Sequence, residues 1–411
     1  MTSLNINYHN LDVKKINKFL DEDKDTVQKI KNIISNLPSL NIVKNKKLLN
    51  KLISQGNNFA KNKNNIIILG TGGSNLGSKA LINILQGNEK KKIYFYDNID
   101  PLNFKNSLEK IELENSSFII ISKSGTTPET LSQFGCLIEI FHQKNQLENF
   151  YQNCLIITQK IDSPLYQIAK KNNCEIIAHD SDIGGRYSVF SSVGIIPAVI
   201  AGVDVKKFYE GALNLLLEVE KNSFDEYLLT PKALTNQNIL SRNRNTVLMT
   251  YSDSLIYFGK WFLQLWSESI GKNSKGVTPL HAIGTTDQHS QLQLYLDGPK
   301  DKFFTFVTTN HSGIGLKINN NIFNENEAFY LSGKYMGDLM QAEQQATIDT
   351  FKNNSFAFRE IFIKEINEFS LGQLMIFKIL ETISACCFLN VDPFNQPAVE
   401  QGKIITKKYL S

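Results

Sequence analysis

Gln264 and Glu268 lie four residues apart in Gln264-Leu265-Trp266-Ser267-Glu268-Ser269-Ile270-Gly271-Lys272, so on a helix they share one face. Gly271 is a natural helix stop. It sets Glu268 in the last turn, where the carboxylate can serve as a general base; the alternative is a surface Glu paired with Lys272 at i+4. Arg186 sits in the Gly-flanked loop Gly184-Gly185-Arg186-Tyr187-Ser188. Its fixed cation can face a developing oxyanion or pair with Asp180 or Asp182. His289, in Gly284-Thr285-Thr286-Asp287-Gln288-His289-Ser290, has Asp287 and glutamines beside it that can select its tautomer. No second His stands at ligand spacing, so no metal role is expected. Gln396 and Lys403 are seven apart and project from one side of a last helix that Pro397 opens, with Lys403 in solvent as the plainer alternative.

A second kind of chemistry is written in Ser122-Lys123-Ser124-Gly125-Thr126-Thr127-Pro128-Glu129-Thr130. The segment from Ser122 to Thr127 offers four hydroxyls, one ammonium and free backbone N–H groups at the start of a helix. Orphan donors and the positive end of a helix dipole suit a phosphate, although simple capping needs the same residue types. Gly70-Thr71-Gly72-Gly73-Ser74-Asn75-Leu76-Gly77 is a second loop of this kind, with Gly73 and Ser74 at its centre. It is not a dinucleotide fingerprint, because Asn75 occupies the place of the third glycine and leaves Asp97 without a ribose-binding role.

The elements that carry these loops are short apolar runs alternating with helical periods. Runs at 66–69, 93–96, 118–121, 155–158 and 175–178 read as buried strands of a parallel sheet. Positions 1–65 read as a polar helical lead-in, 195–202 as a closing helix, and 204–243 as helices broken at Pro231. A second alternation places strands at 246–251 and 303–308, helices at 254–266 and 327–351, and a strand-like stretch at 359–366. Helices at 371–389 and 396–409 form the tail. The fold class is α/β, with two three-layer domains, mostly parallel sheets and a C-terminal helical tail. The boundaries fall at 1–203 for the lead-in plus first domain, 204–390 for the second domain and 391–411 for the last helix.

Bulk properties narrow the rest. The chain has 411 residues, more than one hydrophobic core usually supports. A net charge of +4 with no dense basic run argues against a nucleic-acid partner. No stretch reads as membrane-spanning and the N-terminus lacks an apolar signal core, so a membrane partner is not expected and the location is expected to be cytoplasmic. Five cysteines without C-x-x-C spacing argue against a disulfide framework or a zinc site.

Taken together, segments 70–77, 122–130, 184–192, 264–272, 284–290 and 393–403 resemble the glucose-6-phosphate isomerase (phosphoglucose isomerase) family, in the family's order and over most of the chain. The resemblance implies two sugar-isomerase-type domains and a last helix that returns to the active site. It implies that Gly73, Ser74, Ser122, Lys123, Ser124, Gly125, Thr126 and Thr127 bind a sugar phosphate, with Gln264 beside them and Gln396 as a further contact. Glu268 matches the base that moves a proton between C2 and C1, and Arg186 the cation facing the enediolate. His289 and Lys403 match the groups that assist ring opening and proton transfer between sugar oxygens. The histidine of this family comes from the neighbouring subunit, which implies a homodimer; no cofactor is implied. Ile270 stands where the family more often has Asn, and Thr286-Asp287 where it often has Asn-Gly. The expected activity is isomerisation of glucose 6-phosphate to fructose 6-phosphate in glycolysis and gluconeogenesis. The rivals are a dual phosphoglucose/phosphomannose isomerase and a non-catalytic sugar-phosphate-binding regulator, with a dehydrogenase behind them.

Overall fold

The run Ile66-Ile67-Ile68-Leu69 is apolar without a break because both its faces are covered. Every residue of its strand is buried, as in sheets flanked by helices on each side. The computed structural model describes residues 4–321, 323 and 327–411. Its strands are β1 (Leu4–His9), β2 (Asn65–Leu69), β3 (Lys92–Tyr96), β4 (Ser116–Ile121), β5 (Cys154–Thr158), β6 (Glu175–Ala178), β7 (Asn245–Thr250), β8 (Thr278–Ile283), β9 (Lys302–Thr309) and β10 (Phe358–Ile363). They form two five-stranded sheets, in the orders β3-β2-β4-β5-β6 and β1-β10-β9-β7-β8.

All pairings in the first sheet are parallel. Alternate residues feed different cores: Ile67, Leu69, Phe118, Ile120 and Ile156 join an outer cluster, while Ile66, Ile68, Ile119, Ile121 and Ile157 join a large inner one. That inner cluster also takes Leu248, Phe303, Val307 and Ile361 from the second sheet, so it is continuous from one sheet to the other. Helix Ile256–Ile270 lies in it, burying Phe258, Trp261, Phe262, Leu265 and Trp266. The side chains of Gln264 and Glu268 occupy the helix's less buried face, and this orientation makes the helix useful at a site.

The α/β class, the mostly parallel sheets and the C-terminal helices agree with the sequence reading, and four local differences stand out. The lead-in is not wholly helical: β1 pairs antiparallel with β10, Leu4 opposite Ile363, and completes the second sheet. Its alternation Leu4-x-Ile6-x-Tyr8 is the period-2 signal of a strand with one covered face. β8 also falls where no strand was expected; it contains Pro279 and holds an edge position, where a missing N–H is tolerated. Pro231 lies inside helix Phe224–Thr235 and does not break it. Finally, helix Glu368–Phe388 has the length and apolar composition of a membrane span, contrary to the sequence reading; 94% of its apolar window is buried inside the protein, as a central core helix would be.

Candidate active site

β2 and β4 are neighbours at the middle of the first sheet, and the chain leaves them toward opposite edges. In open α/β sheets such a reversal of strand order opens a crevice at the carboxyl ends of the strands. The loops that follow these two strands are the two Gly-containing segments, 70–75 and 122–127. After β4, Ser122 is buried, and its hydroxyl bonds the Thr127 hydroxyl at 2.8 Å. The Gly125 N–H donates back to both the Ser122 carbonyl oxygen and its Oγ. This turn aims Ser124 and Thr126, both exposed and 2.9 Å apart through their hydroxyls, outward. Thr127 then stands at the head of helix Pro128–Gln143 without a side-chain capping bond, and Pro128 takes the first helical position. Lys123 turns elsewhere: its Nζ donates to the Ser181 and Ile183 carbonyl oxygens at 2.9 and 3.0 Å. Burial holds its pKa below the usual lysine range, with Asp180 and Asp182 pulling the other way. In this structure it ties two loops together, while Ser122 and Gly125 N–H hold the turn from inside and the exposed Ser124 and Thr126 hydroxyls face outward.

The 70–75 loop touches the other two functional segments through its glycines. A Cβ at Gly73 would sit 2.3 Å from the Gly185 carbonyl carbon, and one at Gly72 would sit 2.8 Å from Gln264 Nε2. The backbone contact at Gly73 admits only glycine, and at Gly72 the positive φ of 53° favours it. Ser74, half-buried, follows directly in the same short turn.

Arg186 is 4% exposed and its guanidinium is fully subscribed. Nε donates to Ser269 Oγ at 2.8 Å, and Nη2 to the Pro393 and Asn395 carbonyl oxygens at 2.6 and 3.2 Å. Nη1 donates to Gln396 Oε1 at 3.1 Å and to Glu268 Oε2 at 3.4 Å. Those contacts match the five donors that arginine has, with the longest one reaching the candidate base. Glu268 Oε1 accepts from Gln264 Nε2 at 2.9 Å, the i, i+4 partnership expected from the spacing. Lys272 leaves the Glu268 carboxylate alone. Its ammonium donates to the main-chain carbonyls of Glu268 and Ser269 and so caps the helix end. Burial first, then the nearby Arg186 charge, lowers the Lys272 pKa.

Two side chains that the sequence reading passed over build this arrangement. Tyr187 is buried beside Arg186; its hydroxyl bonds Ser269 Oγ at 2.9 Å and donates to the Pro393 carbonyl oxygen at 3.0 Å. Burial pushes its phenol well above the ordinary range, so it stays a donor. Ser269 is fully buried and links Arg186 to Tyr187. Their adjacency to Arg186 and Glu268 was the available signal. Ile270, at the family's Asn position, is 2% exposed in the inner core.

The remaining candidates lie apart from this cluster. His289 is an exposed residue of the short helix Thr286–Ser290. Asp287 accepts from Ile283 N–H and Ser290 Oγ, and Gln288 bonds Tyr251, Thr347 and the Glu343 carbonyl, so these contacts leave His289 without the tautomer control expected from its neighbours. Lys403 is exposed on helix Glu400–Leu410 and pairs with Glu400 at 2.7 Å. The C-terminal segment does return to the site, but through Pro393, Asn395 and Gln396.

Comparison with known proteins gives one consistent result. The family described as phosphoglucose isomerase matches residues 23–411. A probable glucose-6-phosphate isomerase of Methanococcus maripaludis is 37% identical over 366 residues, covering 86% of this chain and 80% of that protein. The glucose-6-phosphate isomerase of Campylobacter jejuni is 34% identical, covering 88% and 89%. Among solved structures, a glucose-6-phosphate isomerase from Chlamydia trachomatis superposes with a TM-score of 0.84 at 20% identity over 99% of this chain and 88% of that one, a likeness of fold.

Proposed function

The chain belongs to the phosphoglucose isomerase family, and from that premise we propose that it interconverts glucose 6-phosphate and fructose 6-phosphate through an enediolate, with Glu268 as the base. The observation that carries this reading is the way Arg186 meets Glu268. Nε and both Nη2 donors fix the guanidinium plane on Ser269, Pro393 and Asn395. Nη1 alone faces the carboxylate, at 3.4 Å. A sugar oxygen entering there replaces a weak contact, while the arginine stays oriented for charge that develops later.

The phosphate anchors on the hydroxyls and N–H groups of Ser122–Thr127, with Ser74 and Gly73 on the opposite loop. That binding energy orients the opened chain at the base. Glu268 takes the C2 proton of the open aldose, the C2–H electron pair shifts toward C1, and the carbonyl oxygen O1 gathers negative charge beside Arg186. Glu268 then returns the proton to C1 as the carbonyl forms at C2, with a proton passing from O2 to O1. Gln264, bonded to Glu268 Oε1, holds the carboxylate in register. His289 and Lys403 lie outside this cluster in the single chain. A homodimer in which the neighbouring subunit brings His289 to ring opening accounts for its exposed position. The reading extends to a cytoplasmic enzyme of glycolysis and gluconeogenesis, in keeping with five cysteines that are all free thiols.

The test is turnover of fructose 6-phosphate by the purified protein in heavy water. Glucose 6-phosphate should appear with solvent deuterium at C2, at the same rate with or without a chelator. Product that stays free of solvent deuterium through prolonged equilibration with the enzyme, in which every pass gives the Glu268 carboxyl a further chance to exchange its proton, would exclude the proton-transfer route. Binding without turnover would favour a sugar-phosphate-binding regulator.

A further inference from the structure

β5 and β6 run parallel with Leu155 opposite Glu175, and one step back along that register sets Cys154 opposite Cys174. Paired residues of neighbouring parallel strands point to the same face, and both sulfurs belong to the outer core cluster of the first sheet. Adjacent strands lie about 4.8 Å apart, inside the roughly 4.4–6.8 Å that a disulfide spans between Cα atoms. The two environments differ. The neighbouring Cys154 side chain draws the Cys174 thiol below its ordinary range, whereas burial pushes Cys154 well above it. Cys174 is 8% exposed and Cys154 wholly enclosed, with its Sγ 3.2 Å from the Phe150 carbonyl oxygen, an alternative acceptor for its single proton. One thiol is thus suited to meet a small oxidant and the other to resolve it.

We propose that Cys154 and Cys174 are a modification site: a reversible intrachain disulfide that forms with hydrogen peroxide as the oxidant. The Cys174 thiolate attacks one peroxide oxygen, the O–O bond breaks, and the departing hydroxide takes a proton to leave as water. The resulting sulfenic acid is then attacked at sulfur by Cys154, which gives up its proton. The S–O bond breaks, and the second oxygen leaves as water. Two thiols lose two electrons and two protons, and one peroxide becomes two waters. The bond joins β6, the edge strand beside β5 among the described residues, to its neighbour at their amino ends. The candidate active site lies at the carboxyl ends, so the cross-link fastens the edge of the sheet away from the chemistry.

The experiment treats the whole folded protein with hydrogen peroxide, then denatures it, alkylates free thiols and maps the peptides. The five thiols of the reduced chain should fall to three, with a species lighter by two hydrogens and a peptide pair joined through Cys154 and Cys174. A Cys174→Ser variant should keep all its remaining thiols apart from oxidation at exposed Cys136, and a Cys154→Ser variant should accumulate a sulfenic acid at Cys174 that dimedone captures. The proposal is overturned if Cys154 and Cys174 both remain free to alkylate at peroxide levels that already oxidise Cys136, or if the cross-link that forms uses Cys136.

Discussion

Arg186 meets Glu268 at 3.4 Å, and Arg359 meets Glu381 in a bidentate grip, but the two arginine–glutamate pairs are built differently. In the first, the arginine is buried and the carboxylate is not: their side chains are 4% and 31% exposed. Neutral oxygens of Ser269, Pro393, Asn395 and Gln396 take most of the guanidinium's donors. Glu268 keeps one long charged contact and one amide. In the second, Arg359, Glu381 and Lys378 are all at most 3% exposed. Both Glu381 oxygens are bound, one by Arg359 and the other by Arg359 at 3.2 Å and Lys378 at 2.8 Å, and Arg359 also donates to Thr305. The carboxylate proposed to accept a proton keeps few partners and stays partly exposed. One that must hold two charges inside a core is saturated. The difference lies in how much of the cation's hydrogen bonding is met by neutral atoms.

The sharpest way to break this contrast is Glu268→Gln. The substitution keeps the shape and the possible contact with Gln264 but cannot take a proton. Isomerase turnover should fall by about 10³-fold or more, toward the upper end of what a positioned base contributes. Because the pair is partly solvated, stability by urea unfolding should shift by no more than about 1 kcal/mol. Turnover within about tenfold of the parent would remove Glu268 as the base and with it the meaning of its sparse coordination.

The mirror experiment is Glu381→Ala. It leaves two buried cations facing one another without a counter-charge, which costs about 3–5 kcal/mol in comparable buried pairs. Urea unfolding should show that loss, while turnover per folded molecule stays near the parent value. A loss below about 1 kcal/mol would mean that the closed cluster is as lightly held as the open one, and the contrast would fail.

Which of these groups could be read from the chain follows from how local their signals are. The Ser/Thr loop and the Gln264–Glu268 face are short-range patterns, and the structure keeps each as a unit. Arg186 stood out as the one cation in a Gly-flanked loop, yet the atoms that orient it are main-chain oxygens of Pro393 and Asn395, more than 200 positions away. A carbonyl carries no residue-type signature. β1 and β8 escaped notice for a related reason: both are outermost strands of the second sheet, and an edge strand has one neighbour and needs no continuous apolar run. Lys378 and Glu381 did leave a trace, two charges three apart inside an apolar helix, but their partner Arg359 sits on β10 and only the fold brings it there.

The smallest effect expected, and the most discriminating about the closed cluster, is a pH dependence. Two cations share one anion there. Burial, and then the Arg359 charge, lower the Lys378 pKa to about 8, with Glu381 pulling in the opposite direction. In the unfolded chain this lysine returns to about 10.4. Between those values the folded protein has released the proton and the unfolded chain still binds it, so raising the pH favours the folded state. Below the window both states hold the proton and the contribution is flat. Deprotonation leaves Arg359 and Glu381 as a balanced pair in an apolar surround, which is why the cluster gives up this proton early. Lys378→Met should therefore flatten the rise in stability between about pH 8 and 10 relative to the parent, by at most about 1.4 kcal/mol per pH unit. Urea unfolding of both proteins at intervals across that window measures it. Parallel curves would mean that Lys378 stays charged beside Glu381, so that the triad is held together by Coulomb attraction strong enough to outweigh burial of the extra cation.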